Sequence, residues 1–422
     1  MNHTSRLERR DSENTPPSIR IGYNIDLRLS SSCAVFVKPA DSRTREGLGG
    51  RGKKRRFLRF NAGHGSENVE NRWMIIRCMY VSMLAGVLAS MSLRAEVKPV
   101  KIFILAGQSN MEGKAPNGLF DHQATAEGTK EVFAHLREAG GWVKRDDVQI
   151  KFLERAGSLT IGYGSPGRTG VEFEFGMMMG DHFDEPVVLI KAAWGGHSLA
   201  RQFRSPSAGF PEELMKKELQ ERQQKVAREN EQQAKSDPLP TLEDVRKEYG
   251  VSYRAMMEEV RRVQENIGAI FPSLEGRGTV CAGLVWFQGW NDQYGTENEY
   301  ASNLIHFIKD VRHDLKTPDL AMVIAAMGQN GSKPAQGPML TIREAQLSMN
   351  EVPEFRGNVK AFRTDLLVDK AAEEMYPQWK ENKAWSVTGG DHLYHYLGSA
   401  IWFTRIGHSM GESMLELLAS RK

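Results

Sequence analysis

Five short apolar runs, separated by long polar stretches, constrain the fold of this chain more than any other feature. They are KIFILAG (101–107), VVLIKAA (187–193), VCAGLVWF (280–287), LAMVIAA (320–326) and VKAFRT (359–364). Near-continuous Val, Ile, Leu and Ala without polar alternation suits strands buried on both faces, and such strands belong to parallel sheets covered by helices on either side. The intervals between the runs leave room for crossover helices, which is the rhythm of βαβ units. The fold class expected is therefore α/β: a three-layer α/β/α sandwich around a five-stranded parallel sheet.

At 422 residues, with 40% hydrophobic and 26% charged side chains, the chain is long enough for one elaborated domain and ordinary in composition. Those values exclude global disorder and a polytopic membrane protein. Between the second and third strands, residues 211–275 are strongly charged, with KKELQERQQKVARENEQQAK and DVRKEYGVSYRAMMEEVRRVQENI on either side of SDPLP. This segment reads as a helical insertion. A charge run is ordinarily a solvated face, so a helical hairpin in water is the default and a lid over the active site the alternative.

The amino-terminal part reads differently. Residues 1–73 carry 15 Lys and Arg against 8 Asp and Glu, a net +7 in a chain whose total is +3, and show no hydrophobic periodicity. From Met74, MIIRCMYVSMLAGVLASMSLRA (74–95) has one Arg near its start, then sixteen uncharged residues (78–93) with small side chains toward their end, then Arg94 and Ala95. That is the pattern of a secretory signal peptide, and it is short for a stable membrane anchor, which needs about 20 apolar residues. The expectation is a start at Met74, an upstream extension of 1–73, and a mature domain from residue 96 in the periplasm or outside the cell. A basic nucleic-acid-binding arm on an anchored protein is the competing reading. Cys33 and Cys78 precede the expected cleavage point. Cys281 remains alone, as a buried thiol with no partner for a disulfide.

Four segments with chemical character each follow a predicted strand or stand near the carboxyl end, and open parallel sheets bind ligands at the carboxyl ends of their strands. LAGQSNMEG places Ser109 just after the first strand. Ser109 and Glu112 also fit a capping box. KAAWGGHSLARQF carries Gly195 and Gly196, where the backbone can approach a ligand. LVWFQGWNDQYG carries Gln288, Asn291 and Asp292, residue types that otherwise serve turns and caps. GGDHLYHYLGSAIWF carries Asp391, His392 and His395.

Together these segments resemble the SGNH (GDSL-like) hydrolase superfamily, and within it the carbohydrate esterase branch of acetylxylan esterases and sialate O-acetylesterases. GQSNM stands in place of the Gly-Asp-Ser block, and with WFQGWND it is similar to the acetylesterase branch. The resemblance covers residues from about 100 to the end, outside the insertion. It implies a flavodoxin-like sheet, Ser109 as nucleophile, His395 as base and Asp391 as the acid that orients it. It also implies an oxyanion hole of the Ser109 and Gly196 amides with the Asn291 side chain, and no metal or organic cofactor.

Gln108 and Gln288 are expected to contact the substrate or orient the loops. Trp194, Trp286 and Trp290 offer faces to a sugar ring, although packing beside a strand is the commoner fate. The implied substrate is an acetylated polysaccharide or oligosaccharide, with no nucleic-acid partner. A sialate O-acetylesterase is the nearest rival, and a catalytically silent glycan-binding protein on the same fold is the alternative from another class. One departure stands out. The family's Asp lies three residues before its His, whereas here His392 holds that place and Asp391 lies four before His395, so Asp365 and Asp369 remain more distant candidates for the acid.

Overall fold

The computed structural model of the protein describes residues 98–420; the extension 1–73, the signal segment 74–95, Cys33 and Cys78 lie outside them. Within this span all five expected strands form: β1 (Val100–Gly107), β4 (Val187–Ala193), β5 (Thr279–Phe287), β6 (Ala321–Ala326) and β7 (Val359–Arg363). Two more join them, β2 (Arg145–Phe152) and β3 (Arg155–Leu159). The sheet therefore has seven strands rather than five, in the order β7-β6-β5-β1-β4-β2-β3. All neighbours are parallel except β2 and β3, which pair as an antiparallel hairpin. The sequence hides this hairpin for a physical reason. It closes the sheet's edge, so RDDVQIKF and RAGSL carry charge and small residues instead of an apolar run, and β3 is exposed at Arg155 and Ala156.

Alternation along the central strand feeds two cores. In β1, Phe103 and Leu105 enter the layer formed by α2 (Glu172–His182) and α8 (Ala400–Ala419), while Ile102 and Ile104 enter the opposite layer. That second layer is built by α5 (Val251–Glu265), α6 (Tyr300–Asp314) and α7 (Gly337–Leu347). Each fully buried Val, Leu, Ile or Phe contributes about 1.5–3 kcal/mol, so strands loaded on both faces fix the sheet. Cys281 is a buried free thiol whose burial pushes its pKa up to about 11.

The charged segment 211–275 divides in two. Its second part, α5, lays Tyr253, Met256, Val260 and Val263 on the sheet as a crossover helix. Only α3 (Glu212–Gln233) and α4 (Leu242–Glu248) form an arm, joined through a small cluster of Met215, Val245 and Tyr249. A Thr241–Asp244 capping box starts α4. The arm is tied to the loop after β4 by Arg201, which pairs with Glu218 at 2.6 Å and with Glu248.

Candidate active site

The carboxyl ends of β1, β4 and β5 converge where the chain reverses its direction of travel across the sheet, with β4 on one side of β1 and β5 on the other. Gly107 ends β1. A Cβ there would lie 2.2 Å from the Phe287 carbonyl oxygen, so only glycine lets the ends of β1 and β5 close up beneath the next turn. That turn is α1 (Ser109–Glu112), and its first residue is Ser109. The capping-box reading fails here: no side chain caps α1. Instead the Ser109 hydroxyl stands 3.0 Å from His395 Nε2, while Glu112 reaches across to accept the Gly195 amide at 2.6 Å. Glu112 is otherwise held by Lys114 (2.7 Å) and the Ser165 hydroxyl (3.1 Å).

His395 belongs to a loop closed on itself. The amides of Gly390 and Asp391 both donate to the Leu397 carbonyl, and the amides of His395 and Leu397 donate to His392. Tyr396 and Leu397 adopt left-handed backbone (φ 51 and 60), which costs about 1–3 kcal/mol per residue. The buried Tyr396 ring and its hydroxyl, bonded to the Gly328 amide (3.1 Å) and to Thr364 Oγ1 (2.8 Å), offset that cost.

Asp391 Oδ1 lies 3.1 Å from His395 Nδ1, off the line of a well-directed hydrogen bond. Oδ1 also accepts the His392 amide (2.7 Å), and Oδ2 accepts from Arg168 (2.8 Å). Burial raises the Asp391 carboxyl, but His395, the His392 amide and Arg168 outweigh it and hold the group below the usual carboxylate range. His392 turns away, its ring stacked on Tyr394 and edge-on to Trp379. Asp365 is engaged by Arg343 and Arg363, and Asp369 caps the helix that begins at Lys370 and accepts from Ser399.

Three groups at the ends of β1, β4 and β5 are left able to donate. The Ser109 amide, at the first position of a helical turn, has no acceptor within that turn. In the turn after β4, Gly195 gives its amide to Glu112, and a Cβ added there would stand 3.8 Å from the Ser109 Cβ. Gly196 has φ +78 and open space above it, and its amide has no acceptor among the described residues. Asn291 accepts the Gln108 Nε2 on its Oδ1 at 3.0 Å, which leaves the Nδ2 hydrogens to donate.

Gln108 and Gln288 are buried. Gln108 Oε1 accepts from Gln288 Nε2 (3.2 Å), the Gly289 amide (3.2 Å) and the Asn291 amide (3.4 Å). Their side chains are thus committed to holding the loop that carries Asn291. Trp286 is fully buried in the core, its indole bonded to the Tyr300 hydroxyl; Trp194 packs on Phe203 and His197. Of the three tryptophans, Trp290 alone stands beside the loop of His395, 5.8 Å from Tyr394 between ring centres.

Four groups escape the sequence. Glu112 and Arg168 brace the turn and the acid. Lys191 and Glu172 form a fully buried pair, 2.8 Å apart, beneath α1, where Lys191 donates to the Glu112 carbonyl at 2.8 Å. Lys191 shows as the one charged residue in an apolar strand, which is the signal that marks it. The Gly195 partner of Glu112 and the Asp391 partner of Arg168 lie far away in sequence, and no local pattern marks them.

Asp292 is buried where it accepts the amides of Leu199 (2.9 Å) and Ala200 (2.8 Å) and the Gln288 Nε2 (2.6 Å). Burial outweighs these bonds and raises it to about 6. Because its folded pKa lies above the unfolded value near 4, the folded state favours the protonated form, and stability falls as pH rises from about 4 to 6. The loss approaches ~3 kcal/mol and is flat above that window. Denaturant titrations of wild type and Asp292→Asn across pH 4–8 check this: their stability difference is expected to shrink through the same window, and a difference independent of pH refutes it. Among the described residues, no group of three or more His, Cys, Asp or Glu side chains is placed to hold a metal ion.

The family described as carbohydrate esterase, sialic acid-specific acetylesterase matches residues 99–371. No curated protein sequence matches at a significant level. Among solved structures, the chain is similar to a protein from Arabidopsis thaliana at 17% identity and a TM-score of 0.42, over 75% of this chain and 98% of that one. It is also similar to a carbohydrate acetylesterase from Xanthomonas citri, at 14% identity and a TM-score of 0.37, over 75% of this chain and 55% of that one.

Proposed function

The chain belongs to the sialic acid-specific acetylesterase family of carbohydrate esterases and is a carbohydrate O-acetylesterase, and from that premise we propose that Ser109, His395 and Asp391 cleave acetyl esters of neutral polysaccharides or oligosaccharides. The contact that carries this reading is the 3.0 Å approach of the Ser109 hydroxyl to His395 Nε2, with Asp391 behind the ring.

Serine is a weak nucleophile at neutral pH. His395 takes the Ser109 proton as Oγ bonds to the acetyl carbonyl carbon, and Asp391 stabilises the imidazolium and fixes its tautomer. As the carbon–oxygen bond to the sugar breaks, His395 returns that proton to the departing hydroxyl. Water, activated by the same base, then releases acetate and restores Ser109. The carbonyl oxygen, negative in both tetrahedral intermediates, is met by the amides of Ser109 and Gly196 and by Asn291 Nδ2. Asn291→Ala is expected to lower kcat about 10²- to 10³-fold with little change in KM; an equal loss carried by KM alone refutes the oxyanion role.

A sialic acid carries a carboxylate and calls for a free cation. Arg168, the basic side chain in contact with Asp391, is spent on it, and Lys114 and Lys191 are paired with Glu112 and Glu172. These pairings support a neutral sugar over sialate, and Lys217, which lines the cavity beside Asn291, is the cation a sialate carboxylate would use. Acetate release compared on acetylated xylan and acetylated sialic acid decides between them, and preference for sialate overturns the neutral-sugar reading. Export through the 74–95 segment is part of the same proposal; amino-terminal sequencing of the natively expressed protein should give a start near Glu96. No helix among the described residues is long and apolar enough to cross a membrane.

A further inference from the structure

The proton that leaves with the sugar comes from His395 Nε2, so the sugar must depart on the side of the catalytic crevice where His395 stands, not on the Asn291 side. What lies there is aromatic. Tyr394 packs against the His395 ring at 4.5 Å, and from it a band of rings runs in both directions. Trp290 stands 5.8 Å away on one side; on the other, His392 lies at 5.1 Å and Trp379 a further 5.2 Å beyond it. Tyr394 is 38% exposed, and Trp290, His392 and Trp379 are each half-buried. The main chain holds the band in place, since the Asn110 amide group donates to the Tyr394 carbonyl at 3.1 Å. The other flank is different in kind: a cavity of about 230 Å³ next to Asn291 is lined by Arg201, Lys217, Glu218, Glu221 and Tyr294.

We propose that the Trp290–Tyr394–His392–Trp379 band is a subsite for several consecutive neutral sugar rings of an extended glycan, so that the esterase acts on polymer or long oligosaccharide rather than on a single sugar. This rests on the reading of Ser109 and His395 given above. Aromatic rings offer apolar faces and edges to the C–H surfaces of pyranoses while leaving the hydroxyls in water, and a row of four spans more than one ring.

The test measures binding without turnover. Deacetylated xylo-oligosaccharides from xylobiose to xylohexaose are titrated into the full chain by calorimetry and tryptophan fluorescence. Affinity should rise with length. Trp379→Ala should bind xylohexaose about five- to tenfold more weakly, the scale of one lost ring contact, and lose the length dependence, Trp379→Phe should keep most of it, and Lys217→Ala, on the polar flank, should change nothing. If Trp379→Ala fails to fold, Tyr394→Leu carries the same comparison. Binding that is flat with length in the unaltered protein, or weakened by Lys217→Ala and not by the aromatic variants, overturns the proposal. Length-dependent binding without acetate release from p-nitrophenyl acetate would instead overturn the esterase chemistry and leave the band standing.

Discussion

Ser109→Ala is expected to lower kcat for acetate release by about 10⁶-fold, His395→Ala by a similar factor, and the double variant by no more than either single change. A serine and its base act as one unit, so removing either member of such a pair costs about as much as removing both. Neither change should unfold the chain. Ser109 contributes a hydroxyl at the head of one helical turn, and the loop of His395 is held by its own backbone hydrogen bonds and by Tyr396. Steady-state kinetics with p-nitrophenyl acetate, beside circular dichroism of each variant, give the answer. Folded Ser109→Ala retaining a hundredth of the activity removes Ser109 from its role, and losses that multiply in the double variant separate the two residues chemically.

Asp391→Asn should cost about 10⁴-fold in kcat, because an amide opposite His395 Nδ1 stabilises the wrong tautomer, while His392→Ala should cost less than tenfold. The spacing of four residues is accommodated by the turn itself. The His392 amide folds onto Asp391 Oδ1 and the His395 amide onto the His392 carbonyl, so the chain doubles back and brings Asp391 Oδ1 to 3.1 Å from the ring. Arg168 makes the assignment sharper. It fixes the outer carboxylate oxygen at 2.8 Å, and Arg168→Gln should lower kcat through Asp391 while leaving the Ser109–His395 contact in place. A dead His392→Ala with near-normal Asp391→Asn would reverse the roles of the two neighbours.

The strands were legible because burial on both faces leaves a strand no choice of residue: KIFILAG and VVLIKAA can be little else. The hairpin of β2 and the edge strand β3 was not, since Asp146 and Arg155 are exposed there and charge interrupts the apolar signature. Ser109, Asn291, Asp391 and His395 stand out in the sequence because each follows a strand or precedes the last helix in a recognisable order, and the fold brings Ser109, His395 and Asp391 together. Glu112 was misjudged as a cap since a short-range pattern cannot reveal a partner 83 residues away, the Gly195 amide. Arg168, whose target Asp391 lies 223 residues on, was invisible for the same reason. Trp286 took the commoner fate expected of a tryptophan within a strand and packs in the core.

The arm of α3 and α4 keeps its own small cluster of Met215, Val245 and Tyr249, separate from both sheet layers, and meets the loop after β4 chiefly through Arg201. Such an appendage behaves as a cassette. Because its apolar contacts are its own, a shorter or longer arm is expected to leave both sheet layers packed as they are and to alter only the polar flank that Lys217 and Glu221 line, so that flank can be reshaped without touching the Ser109 turn.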